Sequence, residues 1–184
     1  FSIPLIAAGG FFSIPLGDRI EDSLYSDPVI SRTQSRFQRI VLTRRRGDMR
    51  LYLDGNLQFS SRDEYRYHEA LVHPAMAAHP NPKRVLLLGA GDGLALREVL
   101  RWPNVERVDL IELDQAMLTL AQEHPALQRL NKNSFADPRV NVEVGDAFGL
   151  LPDLPGPFDV VIADFPDPDT AAVARLYSVG FYSR

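Results

Sequence analysis

Val85-Leu86-Leu87-Leu88-Gly89-Ala90-Gly91-Asp92-Gly93 is the stretch on which the fold turns. Four apolar residues in a row suit a strand buried on both faces. The glycines behind it let the chain turn tightly, and let its backbone approach a ligand at the start of the helix predicted over 94–101. The same texture repeats outward: Val105–Ile111 before a helix over 115–123, then Val140–Val144, then Phe158–Ala163. Strands alternating with helices call for a parallel sheet with right-handed crossovers.

The expectation is therefore an α/β fold with a Rossmann-like parallel sheet. Four strands are visible where a doubly wound sheet normally has more, so the sheet is expected to be C-terminally incomplete. A small antiparallel β unit precedes it, over 35–60. Phe37–Thr43 and Met49–Leu53 are rich in strand formers around Arg44-Arg45-Arg46-Gly47-Asp48, where Gly-Asp reads as the turn and the arginines as a solvated tip. Asp54-Gly55-Asn56 gives a second turn. Ser61-Arg62-Asp63-Glu64 has the spacing of a capping box and opens a helix, which Pro74 should kink or divide. Residues 61–184 then form the ligand-binding domain, and residues 18–34 read as a linker.

Residues 1–17 carry no charge and are largely apolar. Pro4, Gly9, Gly10 and Pro15 break any helix there, and no basic start marks a signal peptide. Phe-Ser-Ile-Pro-Leu occurs at 1–5 and again at 12–16, too short a repeat to define an architecture. Within a 1–34 segment, this start is expected to be the tail of a membrane helix; the plain alternative is a disordered or packed arm.

Hydrophobic content of 45% and charged content of 24% describe a folded globular body. Twenty Lys and Arg against twenty-four Asp and Glu leave a net charge of -4, which gives no field for a phosphate backbone, so nucleic acid is not an expected partner. The chain has no cysteine, and so no disulfide, thiolate metal site or Cys nucleophile. His68 and His73 are five residues apart, whereas a zinc helix needs four to place both on one face, so no metal is expected. Chemistry falls to carboxylates, Tyr or His.

Carboxylates stand at successive strand ends. The Gly89–Gly93 loop has Leu94 where the dinucleotide fingerprint wants its third glycine, and Asp92 would repel a pyrophosphate; both point to a ligand carrying positive charge. Glu112 ends the second strand, where a carboxylate accepts from ribose hydroxyls. Asp146 follows the third and suits an adenine amino group; Asp164 ends the fourth, with Asp167 just beyond. Any one of these acids could be a helix cap. Five along one crevice, with no evident Lys or Arg among them, are costly unless the ligand supplies a cation.

Ser35-Arg36-Phe37-Gln38-Arg39-Ile40, Leu53–Gln58, Arg62-Asp63-Glu64-Tyr65-Arg66-Tyr67-His68-Glu69, the Gly89–Gly93 loop with Arg97-Glu98, Asp137-Pro138-Arg139-Val140 and Asp164-Phe165-Pro166-Asp167-Pro168 resemble, in order, the motifs of polyamine aminopropyltransferases of the spermidine synthase family. The likeness covers about residues 35–182, and the glycine loop is shared with methyltransferases, so the sheet should be of methyltransferase type. The resemblance implies transfer of an aminopropyl group from decarboxylated S-adenosylmethionine to putrescine or a related polyamine, giving spermidine and methylthioadenosine without a metal. It places Gln38, Gly89, Gly91, Glu112, Asp146 and Ala147 around the nucleoside. It places His68, Asp92 and Asp167 on the amine groups, and Tyr67 and Asp164 on the attacking nitrogen. It also implies a homodimer and a cytoplasmic location, the apolar start being similar to the junction in membrane-linked members. Ala90 stands where a glycine is usual, and Asp169-Thr170-Ala171-Ala172 lacks the family's common Gly-Pro. Two other activities fit the same motifs: an amine N-methyltransferase using S-adenosylmethionine, and a polyamine-binding domain without catalysis.

Overall fold

The computed structural model describes residues 20–183; the apolar start and its expected membrane junction lie outside the described residues. Among the described residues no helix is long and apolar enough to cross a membrane. The chain divides into two compact units, one up to Arg62 and the other from Asp63.

The first unit is a four-stranded antiparallel sheet in the order β1 (Val29–Gln34), β2 (Arg39–Arg45), β3 (Asp48–Leu53), β4 (Asn56–Ser60). Arg45 faces Asp48 and Leu53 faces Asn56, so both hairpins close through two residues. Those pairs, Arg46-Gly47 and Asp54-Gly55, all have positive φ, from 50° to 82°, the left-handed conformation that matches the twist of paired strands. Two expectations change here. Residues 29–34, read as linker, are the edge strand β1. The first turn is Arg46-Gly47 rather than Gly-Asp, because Asp48 is buried in β3, where it accepts from Arg50 Nε at 2.9 Å and Ser60 Oγ at 2.7 Å.

The second unit opens with α1 (Glu64–Ala78), which continues through Pro74 instead of dividing there. The capping box does not form. Asp63 is the N-cap and makes no side-chain cap bond, the Ser61 hydroxyl accepts from the Met49 amide at 2.9 Å, and the Glu64 side chain turns inward to charged partners. A buried carboxylate gains more from a guanidinium than from a backbone N–H at a helix end.

Then follow β5 (Arg84–Gly89), α2 (Leu94–Leu100), β6 (Arg107–Glu112), α3 (Gln115–Glu123), α4 (Pro125–Leu130), β7 (Val140–Val144), α5 (Ala147–Leu150), β8 (Val160–Asp164), α6 (Ala171–Ala174) and α7 (Val179–Tyr182). The sheet is parallel throughout, in the order β7-β6-β5-β8. Along β5 the side chains alternate: Val85 and Leu87 join a core with Val72, Met76, Leu96 and Leu110, while Leu86 and Leu88 join Ile111, Ala147 and Phe181 on the other face. Because β6 and β7 lie to one side of β5 and β8 to the other, the strand order reverses beside β5. Ligands bind at the carboxyl edge of such a reversal.

Candidate active site

Register fixes the rim. Gly89 pairs with Asp164 and Leu88 with Ile111, so Gly89, Glu112 and Asp164 end neighbouring strands at one edge of the sheet. Two glycines there are required by close approach. A Cβ on Gly89, whose φ is +81°, would lie 2.3 Å from the Asp164 carbonyl oxygen, and one on Gly91 would lie 2.6 Å from Glu112 Oε2. The glycine loop is thus pressed against both acids.

Asp92 accepts from the Leu94 amide at 2.9 Å through Oδ1, and its Oδ2 stands 3.9 Å from His68 Nε2. Burial, with the Asp164 and Glu64 charges adding to it against His68, pushes the Asp92 carboxyl up to about 6. Glu112 accepts from the Asp114 amide at 2.8 Å, and burial, reinforced by Asp114 and Asp92, pushes it up to about 7. Tyr67, on α1, donates its hydroxyl to Asp164 Oδ1 at 2.6 Å; burial and that carboxylate hold the phenol well above its ordinary range. Asp167 is exposed just past β8. Among the described residues, no Lys or Arg forms an ion pair with Asp92, Glu112, Asp164 or Asp167.

Asp146 departs from the expectation of an unpaired rim. It caps α5 by accepting from the Phe148 amide at 3.0 Å, and its other oxygen pairs with Arg175, whose guanidinium stacks over Phe148. Ala147, next to it, is buried against Leu86, Leu88 and Ile111. Gln38 belongs to the antiparallel unit, in the loop between β1 and β2, and its amide donates to Ser35 Oγ at 3.0 Å. Its place on the nucleoside rests on the resemblance.

Three residues escape the sequence reading. Glu64 and Arg97 form a buried pair next to His68. Tyr177 donates to the Pro166 carbonyl at 2.9 Å, and burial together with the charges of Asp167 and Asp164 raises its phenol. Only the fold brings Tyr177 beside the Asp164–Asp167 segment. Glu69, His73 and Glu98 do come within ligand range of one another. Trp102 Nε1 donates to His73 Nδ1 at 3.2 Å, which leaves that ring's hydrogen on Nε2, facing Glu98 Oε2 at 3.2 Å, while Arg101 binds both glutamates. The group is a closed ion-pair network.

The raised acids set a pH dependence. Asp92 and Glu112 keep their protons to a higher pH when folded than when unfolded, so the folded state binds more protons and stability falls as pH rises through their folded values. His68, also raised, acts in the same direction. Without ligand, the protein is expected to lose roughly 1–3 kcal/mol between about pH 5 and pH 8. Urea unfolding measures it, and stability that rises across that window would contradict the assignment. A bound cation should cancel the loss.

Known proteins resemble this chain in sequence and in fold. Residues 64–184 match the family described as Spermine/spermidine synthase domain. A polyamine aminopropyltransferase of Leptospira interrogans is 52% identical over 162 residues, covering 88% of this chain and 32% of that protein. One from Oceanobacillus iheyensis is 46% identical over 179 residues, 97% of this chain and 35% of its own length. The chain thus spans about a third of these relatives. Among solved structures, a spermidine synthase in complex with the transition state analogue AdoDATO superposes with a TM-score of 0.77 at 36% identity, over 84% of this chain and 52% of that one. The Thermotoga maritima spermidine synthase gives 0.69 at 37%, over 74% and 47%. With its glycine loop, its acidic rim and the family match over the whole second unit, this chain belongs to the spermine/spermidine synthase family.

Proposed function

We propose that the protein transfers the aminopropyl group of decarboxylated S-adenosylmethionine to putrescine, giving spermidine and methylthioadenosine. The observation that carries this reading is a group of four rim acids, Asp92, Glu112, Asp164 and Asp167, that pair with no Lys or Arg among the described residues, two of them, Asp92 and Glu112, pushed toward neutrality by burial. A sulfonium donor and an alkylammonium acceptor supply the positive charge that such a rim requires.

An alkylammonium with a pKa near ~10.4 has no lone pair at neutral pH. Asp164 takes its proton, while Tyr67 holds Asp164 Oδ1 and leaves Oδ2 for the amine. The freed nitrogen attacks the aminopropyl carbon bonded to the sulfonium; the new C–N bond forms as that carbon's bond to sulfur breaks, and its electron pair leaves sulfur neutral in methylthioadenosine. Alignment of nitrogen, carbon and sulfur is the remaining task of the protein. Glu112 binds the ribose. Asp146 accepts from the adenine amino group once Arg175 gives way, a small cost for an exposed ion pair. Asp167 holds the far end of the amine.

Intact S-adenosylmethionine carries a carboxylate that Asp92 would repel, which favours the decarboxylated donor over methyl transfer. The test is to incubate the full-length protein with putrescine and either donor and to analyse the products by mass spectrometry. Spermidine is expected from the decarboxylated donor alone. A methylated amine, or no product, would overturn the proposal.

A further inference from the structure

His68 is 2% exposed, and the contacts of its ring fix where its hydrogen sits. Nδ1 lies 2.8 Å from the Glu64 carbonyl oxygen and 2.9 Å from Glu64 Oε2. Both partners are acceptors as long as Glu64 is ionised. Arg97 keeps it so, donating to Oε1 at 2.8 Å and to Oε2 at 3.0 Å. Burial alone would raise the Glu64 carboxyl, but the bonds from His68 and Arg97 outweigh it and hold the group below its ordinary value. Nδ1 therefore carries the hydrogen, and in the neutral ring Nε2 is a bare acceptor. Nε2 faces Asp92 Oδ2 at 3.9 Å, too far for a hydrogen bond between them. One ammonium nitrogen can donate to both.

Resting on the aminopropyl transfer proposed above, we infer that Glu64 is a positioning residue for amine recognition. By holding the His68 hydrogen on Nδ1 it leaves Nε2 and Asp92 as a matched pair of acceptors for one primary ammonium. Arg97 supports this from behind, through Glu64, without facing the amine. The ionisable groups around the ring are Glu64 and Tyr67 on α1, Asp92 in the loop after β5, Arg97 on α2, and Asp164 at the end of β8 through Tyr67. Burial would lower the His68 pKa, but Glu64 and Asp92 outweigh it and raise the value. A proton on Nε2 and an ammonium then compete for the same lone pair, so amine binding weakens as His68 becomes protonated.

The experiment follows the His68 imidazole by 15N-edited NMR across pH in the full-length protein, wild type and Glu64→Gln. The wild type should show the Nδ1–H tautomer, and saturating decarboxylated S-adenosylmethionine, added without an acceptor amine, should lower its titration midpoint. Glu64→Gln should lower the ligand-free midpoint by about one unit or more, as loss of an adjacent charge does. It should also raise the KM for decarboxylated S-adenosylmethionine about tenfold, with the affinity for methylthioadenosine, which lacks the aminopropyl ammonium, unchanged within about twofold, since a tenfold change corresponds to one lost charged contact. A purely structural Glu64 would lower thermal stability and leave the His68 midpoint where it was, and that result would overturn the inference. Should Glu64→Gln fail to fold, a wild-type midpoint unmoved by the decarboxylated donor would overturn it equally. Failure of the reaction itself appears separately, as wild-type protein that makes no spermidine, because the ligand-free titration needs no turnover.

Discussion

Asp164→Asn is expected to lower kcat for spermidine formation by about two to four orders of magnitude, the usual contribution of a positioned base. Asparagine keeps the shape of the side chain, and its amide oxygen still accepts the Tyr67 hydroxyl, which lies 2.6 Å from Oδ1 in the native protein. The end of β8, where Asp164 pairs with Gly89, should therefore persist. What disappears is the proposed acceptor for the proton of the ammonium. Methylthioadenosine affinity, measured by calorimetry, should stay within a few-fold, because Glu112 and the glycine loop are untouched. A variant that forms spermidine at the native rate would remove Asp164 from the mechanism and leave the rim as a binding surface only.

Arg97→Met should cost about 3–5 kcal/mol of folding stability, the penalty for breaking a buried ion pair by removing one partner. Arg97 bonds Glu64 through two nitrogens, Glu98 Oε1 through Nε at 2.8 Å, and the Leu130 carbonyl at 2.8 Å. Glu64 and Glu98 are both buried; without Arg97, Glu64 would keep only His68 beside it, and Glu98 only the exposed Arg101 and His73. Arg101 provides the internal control. Its side chain is 54% exposed, and Arg101→Ala should cost only about 1 kcal/mol or less despite its contacts with Glu69 and Glu98. Urea unfolding of the two variants side by side decides the matter; equal losses would mean that burial does not govern this network.

The parallel sheet was legible because its central strands β5 and β6 bury both faces, and a run such as Val85–Leu88 has little alternative. The acids at the strand ends followed from the topology alone, since Glu112, Asp146 and Asp164 each close or follow a strand. Pairings between distant positions were not legible. Ser61-x-x-Glu64 matches a capping box, but spacing cannot say that Glu64 faces an arginine thirty-three positions on. In the same way Asp146 counted among unpartnered acids until the fold brought Arg175 to it. The strand β1 was missed because Ser31, Arg32, Thr33 and Gln34 are polar edge residues, which become a strand only by pairing with β2. Its signal lies in the partner.

Where Gly89 meets Asp164, main chain lies against main chain with no room for even a methyl group. On the proposed reaction, the loop that cradles the sulfonium and the acid that strips the incoming amine are thereby machined from one block. On that same proposal, any shift of the main chain at Gly89 would displace the cradle and the base together, so neither can be retuned without the other.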